Sequence, residues 1–247
     1  MNLKPYALLL LAASAIGAEP KSDEFDAVFR HRHYFLVWNA EATAPTIKLA
    51  CVGYYRYGVS LQYKIIDADS RVLAEDRVAP GDSVQAADLA CSKLYLVYAN
   101  PMVNGVRFGV DRPYGILANG QHRLGLNKPR GRLYFYVPPA CEKFRVVAQC
   151  NSPREGARVE VYDADGAKAG EVDGELDEAT PIDVTVAPEQ RGRVWSMAFK
   201  RPQTKGCGLD DLNVHLEGNV PGLVTPRAEW ARDLIPKLPK SKRADAE

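Results

Sequence analysis

The sequence predicts an all-β protein built from two tandem β-sandwich domains with a short helix near the C-terminus. Three observations predict it. Apolar runs are short, rich in Val, Ile, Tyr and Phe, and separated by Gly, Pro, Asn and Asp, the composition of strands and turns. Several runs alternate strictly, as in Arg158-Val159-Glu160-Val161-Tyr162 and Pro181-Ile182-Asp183-Val184-Thr185-Val186, which puts one strand face in a core and the other in water. The two halves of the chain also repeat each other.

The N-terminus comes first. Met1 and Lys4 precede an apolar run from Tyr6 to Ala13, and small residues follow to Ala18. Basic, apolar and small segments in that order are what an export machine and its peptidase read. Residues 1–18 are therefore expected to be a cleavable signal peptide, and the mature chain to be periplasmic or secreted. The apolar run is roughly a dozen residues, short of the ~20 that span a bilayer, and no membrane span is expected in the mature chain.

The first domain is expected over 24–119, with strands at 34–38, 46–52, 59–66, 71–78, 93–99 and 105–110. The second is expected over 131–224, with strands at 132–137, 143–150, 157–162, 167–172, 182–186, 193–199 and 212–216. A link covers 120–131, and 225–247 reads as a helix, near 228–235, with a disordered tail. Tyr34-Phe35-Leu36-Val37 matches Tyr134-Phe135-Tyr136-Val137, and Asp67-Ala68-Asp69 matches Asp163-Ala164-Asp165, 96 positions later. Lys93-Leu94-Tyr95 matches Arg193-Val194-Trp195 at a spacing of 100. About six strands per repeat suits a jelly-roll or immunoglobulin-like sandwich. Trp38 and Trp195 are expected in equivalent core positions, and Trp230 is expected to dock the helix.

The second half resembles the pre-peptidase C-terminal modules that follow the catalytic domains of secreted bacterial enzymes. The likeness rests on the order "YFYVP", "VEVYDADG" and "RVWSMAF" over roughly residues 131–222, and more weakly on 30–115. It implies a jelly-roll fold and a non-catalytic role. Collagen-binding relatives of this fold hold calcium, which raises calcium as a possible cofactor.

The formal charge of +1, with no basic stripe, lacks the electrostatic footprint of a nucleic-acid binder. Tyr54, Tyr55 and Tyr57 form the densest aromatic cluster, and exposed rings of that kind stack on sugar faces. They are the candidate ligand-binding residues, for a polysaccharide or a cell-surface or extracellular protein. Asp163 and Asp165 open like a calcium loop, but position 12 is Gly174 and the flanks are strands, so a hairpin turn competes with a metal site. His31 and His33 stand two apart, too few for zinc by themselves.

Export permits disulfides. With five cysteines, Cys51–Cys91 and Cys141–Cys150 are the expected pairs, leaving Cys207. Cys207, between Gly206 and Gly208 and two residues from Lys205, is the best thiol nucleophile. No GxSxG occurs, and catalysis is not expected. The competing expectation is a secreted hydrolase with its site between the two halves.

Overall fold

The computed structural model describes residues 24–54 and 58–234. The expected signal peptide, Tyr55, Tyr57 and the tail lie outside the described residues. Within them the protein is all-β, as the patterning predicts, with one short helix. The first half contains β1 (Asp26–Arg30), β2 (His33–Trp38), β3 (Ile47–Val52), β4 (Leu61–Asp67), β5 (Val72–Val78), β6 (Ser83–Ala86), β7 (Leu94–Asn100), β8 (Gly105–Val110) and β9 (Tyr114–Leu117). The second contains β10 (Leu124–Arg130), β11 (Arg132–Val137), β12 (Lys143–Cys150), β13 (Gly156–Tyr162), β14 (Lys168–Glu175), β15 (Thr180–Thr185), β16 (Arg193–Lys200), β17 (Asp211–Gly218) and β18 (Leu223–Val224), before helix α1 (Ala228–Leu234). No helix among the described residues is long and apolar enough to cross a membrane.

The strand orders make the internal repeat visible. One sheet runs β15-β12-β17-β10-β1-β8-β3-β6; against it lie β18-β9-β2-β7-β4-β5 and β11-β16-β13-β14. Within the first half the orders are therefore β1-β8-β3-β6 and β2-β7-β4-β5, the two-sheet pattern of a jelly roll. Each strand from β10 to β17 occupies the place of the strand nine earlier in the other half.

The stretch expected as a link is instead a strand at the centre of the largest sheet. β10 pairs antiparallel with β1 on one side and with β17 on the other. Its repeat-equivalent is β1, so one jelly roll joins the other through equivalent strands. On the opposite layer β9 pairs antiparallel with β18, and a bridge between Tyr134 and Thr225 carries the pairing on to β11. Antiparallel pairing of equivalents relates the halves by an approximate two-fold axis through both layers. The apolar interior is correspondingly continuous: Phe29 and Phe35 belong to the same buried cluster as Phe135, Phe144 and Trp195. Burying each such ring contributes about 1.5–3 kcal/mol.

Alternation builds this core directly. In β4 Leu61, Tyr63 and Ile65 are buried and Gln62, Lys64 and Ile66 half-exposed. In β7 Tyr95, Val97 and Ala99 are fully buried. Tyr95, not Trp38, is the counterpart of Trp195. The Trp195 Nε1–H donates to the Gln190 carbonyl at 2.9 Å, and the Tyr95 hydroxyl donates to the Ala90 carbonyl at 3.1 Å. Each polar edge thereby anchors the loop five residues upstream while the ring fills the core. Trp38 ends β2 half-exposed.

All five cysteines are free thiols, which corrects the expected pairing. Cys150 ends β12, an eight-residue strand about 25 Å long, and Cys141 lies two residues before its start. A disulfide needs its Cα atoms within about 7 Å. Cys51 sits near the Leu61 end of β4. Cys91 lies at the other end, where its neighbour Ser92 receives the Ala68 N–H. Proximity in sequence within an extended chain is distance in space.

Candidate functional site

Two places gather polar side chains. The first is the seam between the jelly rolls, on the outer face of β1, β10 and β17. Core-facing positions there are Phe29, Leu126 and Leu212, so Arg30, Asn127 and Asp211 point outward. Asn127 Nδ2 donates to the Asp210 carboxylate and to Asp211 Oδ1 at 2.9 Å. Its Oδ1 accepts the Tyr54 hydroxyl at 2.8 Å. The Arg30 guanidinium lies 4.4 Å above the Tyr54 ring and 3.5 Å from Asp211. The Tyr54 N–H donates to Asn104 Oδ1 at 3.1 Å. Tyr54 is thus committed to the seam rather than offered as a sugar-stacking ring. Burial, followed by the charges of Asp211 and Asp210, pushes the Glu155 carboxyl up, and its Oε2 is buried without a hydrogen bond among the described residues.

The second place is a cleft of about 630 Å³ over the outer face of β11 and β16, walled by the 163–166 turn and by α1. Helix α1 reaches it because Ala231 and Leu234 are buried. Trp230 packs its ring 5.5 Å from Tyr114, with Arg227 4.9 Å above it, so Trp230 docks the helix as expected. Arg132, Arg193 and Arg232 line the cleft together with Tyr134, Asp163 and Glu229. Arg132 lies 4.2 Å above the Tyr162 ring and donates to Ser196 Oγ at 3.3 Å, which pre-orders its guanidinium. Arg193 grips Asp165 through both oxygens, at 2.6 and 3.1 Å. Gln190 Nε2 adds a hydrogen bond to the same carboxylate. These contacts, the Arg193 pair foremost, hold the Asp165 carboxyl below its usual range.

The candidate metal residues are therefore occupied otherwise. Asp163 Oδ1 accepts the Asp165 and Ala167 backbone N–H groups at 3.0 and 2.8 Å. That is the bonding of a hairpin turn, and Asp67 repeats it with Asp69 and Arg71. No group of His, Cys, Asp and Glu suited to a metal occurs among the described residues.

The histidines do not share a strand face. His31 lies in the turn between β1 and β2 with a φ of 65°. His33 is buried against the Arg30 carbonyl, and burial lowers its pKa to about 4. His122 packs on Tyr34, and His215 bonds Glu217.

Cys207 is not an activated thiol. Burial, with the charges of Glu175 and Asp177, pushes its pKa up rather than down. Lys205 does not decide the matter, and Asp210 is turned toward Asn127 instead.

Sequence reasoning did not single out the cleft. One signal was present in the repeat. Tyr34, the counterpart of Tyr134, is packed against His122 at 4.7 Å and Tyr98 at 5.4 Å. In the second half the chain leaves through β18 to α1, and α1 forms a wall of the cleft beside the matching face.

Comparison with known proteins gives one distant similarity. The chain is 28% identical over 193 residues to a probable non-canonical nonribosomal peptide synthetase, CymA, of Salinispora arenicola. That match takes in 72% of this chain but only 2% of the synthetase. No protein-family model matches the chain, and no solved structure matches it.

Proposed function

We propose that this chain is an exported, non-catalytic binding module that takes a saccharide in the cleft between the β11–β16 face and α1. The observation that carries the reading is the cleft's lining: guanidinium donors from Arg132 and Arg232, a carboxylate acceptor from Glu229 and the half-buried Tyr134, set beside the Arg193–Asp165 pair. Sugars ask for that combination, because a pyranose ring has an apolar face for an aromatic side chain and hydroxyls that both donate and accept. Arg132 is held in place by Tyr162 and Ser196, so less side-chain entropy is lost on binding. The resemblance to the non-catalytic modules of secreted enzymes supports the same role, as does the expected signal peptide. The seam around Asn127 is assigned to holding the two jelly rolls together.

The test is a polysaccharide and glycan binding screen of the purified protein, followed by titration of any hit against Tyr134→Ala and Arg232→Ala. Loss of the ring and of a donor should each weaken binding about tenfold or more, with unchanged circular dichroism. Absence of binding to any saccharide, or equal affinity in both variants, refutes the reading.

A further inference from the structure

We propose that the outer face of β2, β7, β4 and β5, in the first jelly roll, is the surface through which two copies of this chain pair. Alternation sends Phe35, Val97 and Ile65 into the core, each fully buried, so their neighbours Leu36, Leu96 and Ile66 point outward. Strand register lines those neighbours up. Leu36 stands opposite Leu96, Leu96 opposite Ile66, and Ile66 opposite Val72. One apolar row thus crosses four strands and ends at β5, the free edge of its sheet. Leu36, Leu96 and Ile66 are half-buried. Val72 is 52% exposed, more than any other large apolar side chain among the described residues. None of the four lines the saccharide cleft. Helix α1 packs on β9, β11 and β16, and β9 lies on the side of β2 away from β7.

The repeat shows that the fold does not require this row. In the second jelly roll the same register runs through Tyr134, Ser196, Tyr162 and Lys168, and every one of those side chains carries a polar group. Lys168 stands 96 positions after Val72, the spacing of the two Asp-Ala-Asp turns. Apolar side chains gathered on an open sheet face, where the fold accepts polar ones, mark an interaction surface.

Charge and size select the occupant. Beside the row, Tyr34 stands opposite Tyr98, Tyr98 opposite Lys64, and Lys64 opposite Glu75. Lys64 and Glu75 neutralise each other at 3.0 Å. Such a face does not repel a copy of itself, and it offers no net positive charge to a phosphate or an anionic lipid surface. A two-fold axis along the strands, between β7 and β4, lays the row on its own reverse, which makes an isologous contact. Four strands about 4.8 Å apart and about six residues long give a footprint of about 20 by 20 Å. Two such footprints bury about 800–1,200 Å², the low end of specific interfaces. The dimer is therefore weak and exchanging, with a dissociation constant of about 10–100 μM.

The experiment is sedimentation equilibrium of the purified full chain from low micromolar to submillimolar concentration, with methyl NMR spectra over the same range. The expected result is a monomer–dimer equilibrium, with dilution shifts concentrated in the methyl groups of Leu36, Ile66, Val72 and Leu96. Val72→Lys copies Lys168, and Leu96→Ser copies Ser196. Each should raise the dissociation constant about tenfold or more with unchanged circular dichroism. Val103→Lys alters an apolar side chain 41% exposed in the β7–β8 turn, off this face, and should leave association as it is. A chain that stays monomeric throughout, a dimer that survives both face variants, or equal weakening by Val103→Lys overturns the proposal. Where a face variant does not fold, the wild-type spectra decide: dilution shifts centred outside these four strands overturn it as well.

Discussion

Replacing Gly166 with Ser gives the second jelly roll the residue that the first already carries at the same point of its equivalent hairpin. Both turns use an Asp side chain to bond two backbone N–H groups, and both are followed by a register shift in the strand pair. The position needing a left-handed backbone is Gly166, at φ 83°, in one, and Ser70, at φ 64°, in the other. A Cβ on Gly166 would meet no atom within 4 Å. The cost of Gly166→Ser is then the left-handed conformation alone, about 1 kcal/mol. Ser70→Gly should return somewhat less, about 0.5 kcal/mol, because glycine also frees the unfolded chain. For a chain of this size 1 kcal/mol moves the melting temperature by about 2–4 °C. Urea denaturation with an unchanged slope, read beside thermal melts, measures both variants. Equal stability of Gly166→Ser and wild type, or a loss above ~3 kcal/mol, would refute the claim that backbone conformation alone is at stake there.

Two further outcomes are expected. Glu160 is 2% exposed on the outer face of β13 and lies 2.6 Å from Lys200, 2.6 Å from the Tyr162 hydroxyl and 2.8 Å from Arg158. Burial raises its carboxyl, but those partners, Lys200 first, outweigh that and leave it below its ordinary range. A depressed acid stabilises the fold above its unfolded pKa, and that stability is lost as pH falls through the folded value. Glu160→Ala should therefore cost about 3 kcal/mol at neutral pH, with a difference from wild type that shrinks as melts are taken into acid. A pH-independent difference would contradict the charge argument. Asn127→Ala removes the side chain that joins Tyr54 to Asp210 and Asp211 across the seam, taking one donor from each carboxylate while Asp211 keeps Arg30 at 3.5 Å. Its expected cost is about 2–4 kcal/mol, with faster amide exchange in β1 and β10; slower or unchanged exchange there would argue against a seam lock.

Alternation and turn residues were enough to read the sandwich strands, because a half-buried strand must write its two faces into every second residue. Lys143–Cys150 and Arg132–Val137 were legible to the residue. β1 and β10 were not. β1 has five residues with four of them buried. β10 contains Gly125 and Pro129, and Lys128 stands at φ 49°. Their pattern is set by both layers and a polar cover at the seam, not by a simple inside and outside. The same limit applied to the sites. Tyr54 reads as an exposed aromatic until Arg30 and Asn127, brought from other strands, cover it. Tyr134 and Arg193 read as ordinary strand residues until α1 makes a wall beside them.

By itself, then, the sequence determined the all-β class and the repeated jelly-roll unit, since both are written in local alternation and in a period visible along the chain. Only the tertiary structure decided that the units share one sheet and one core, and that the cysteines the sequence paired stand a strand length apart. Those depend on equivalent strands pairing across an approximate two-fold axis, an arrangement of residues about 100 positions apart that no local pattern encodes.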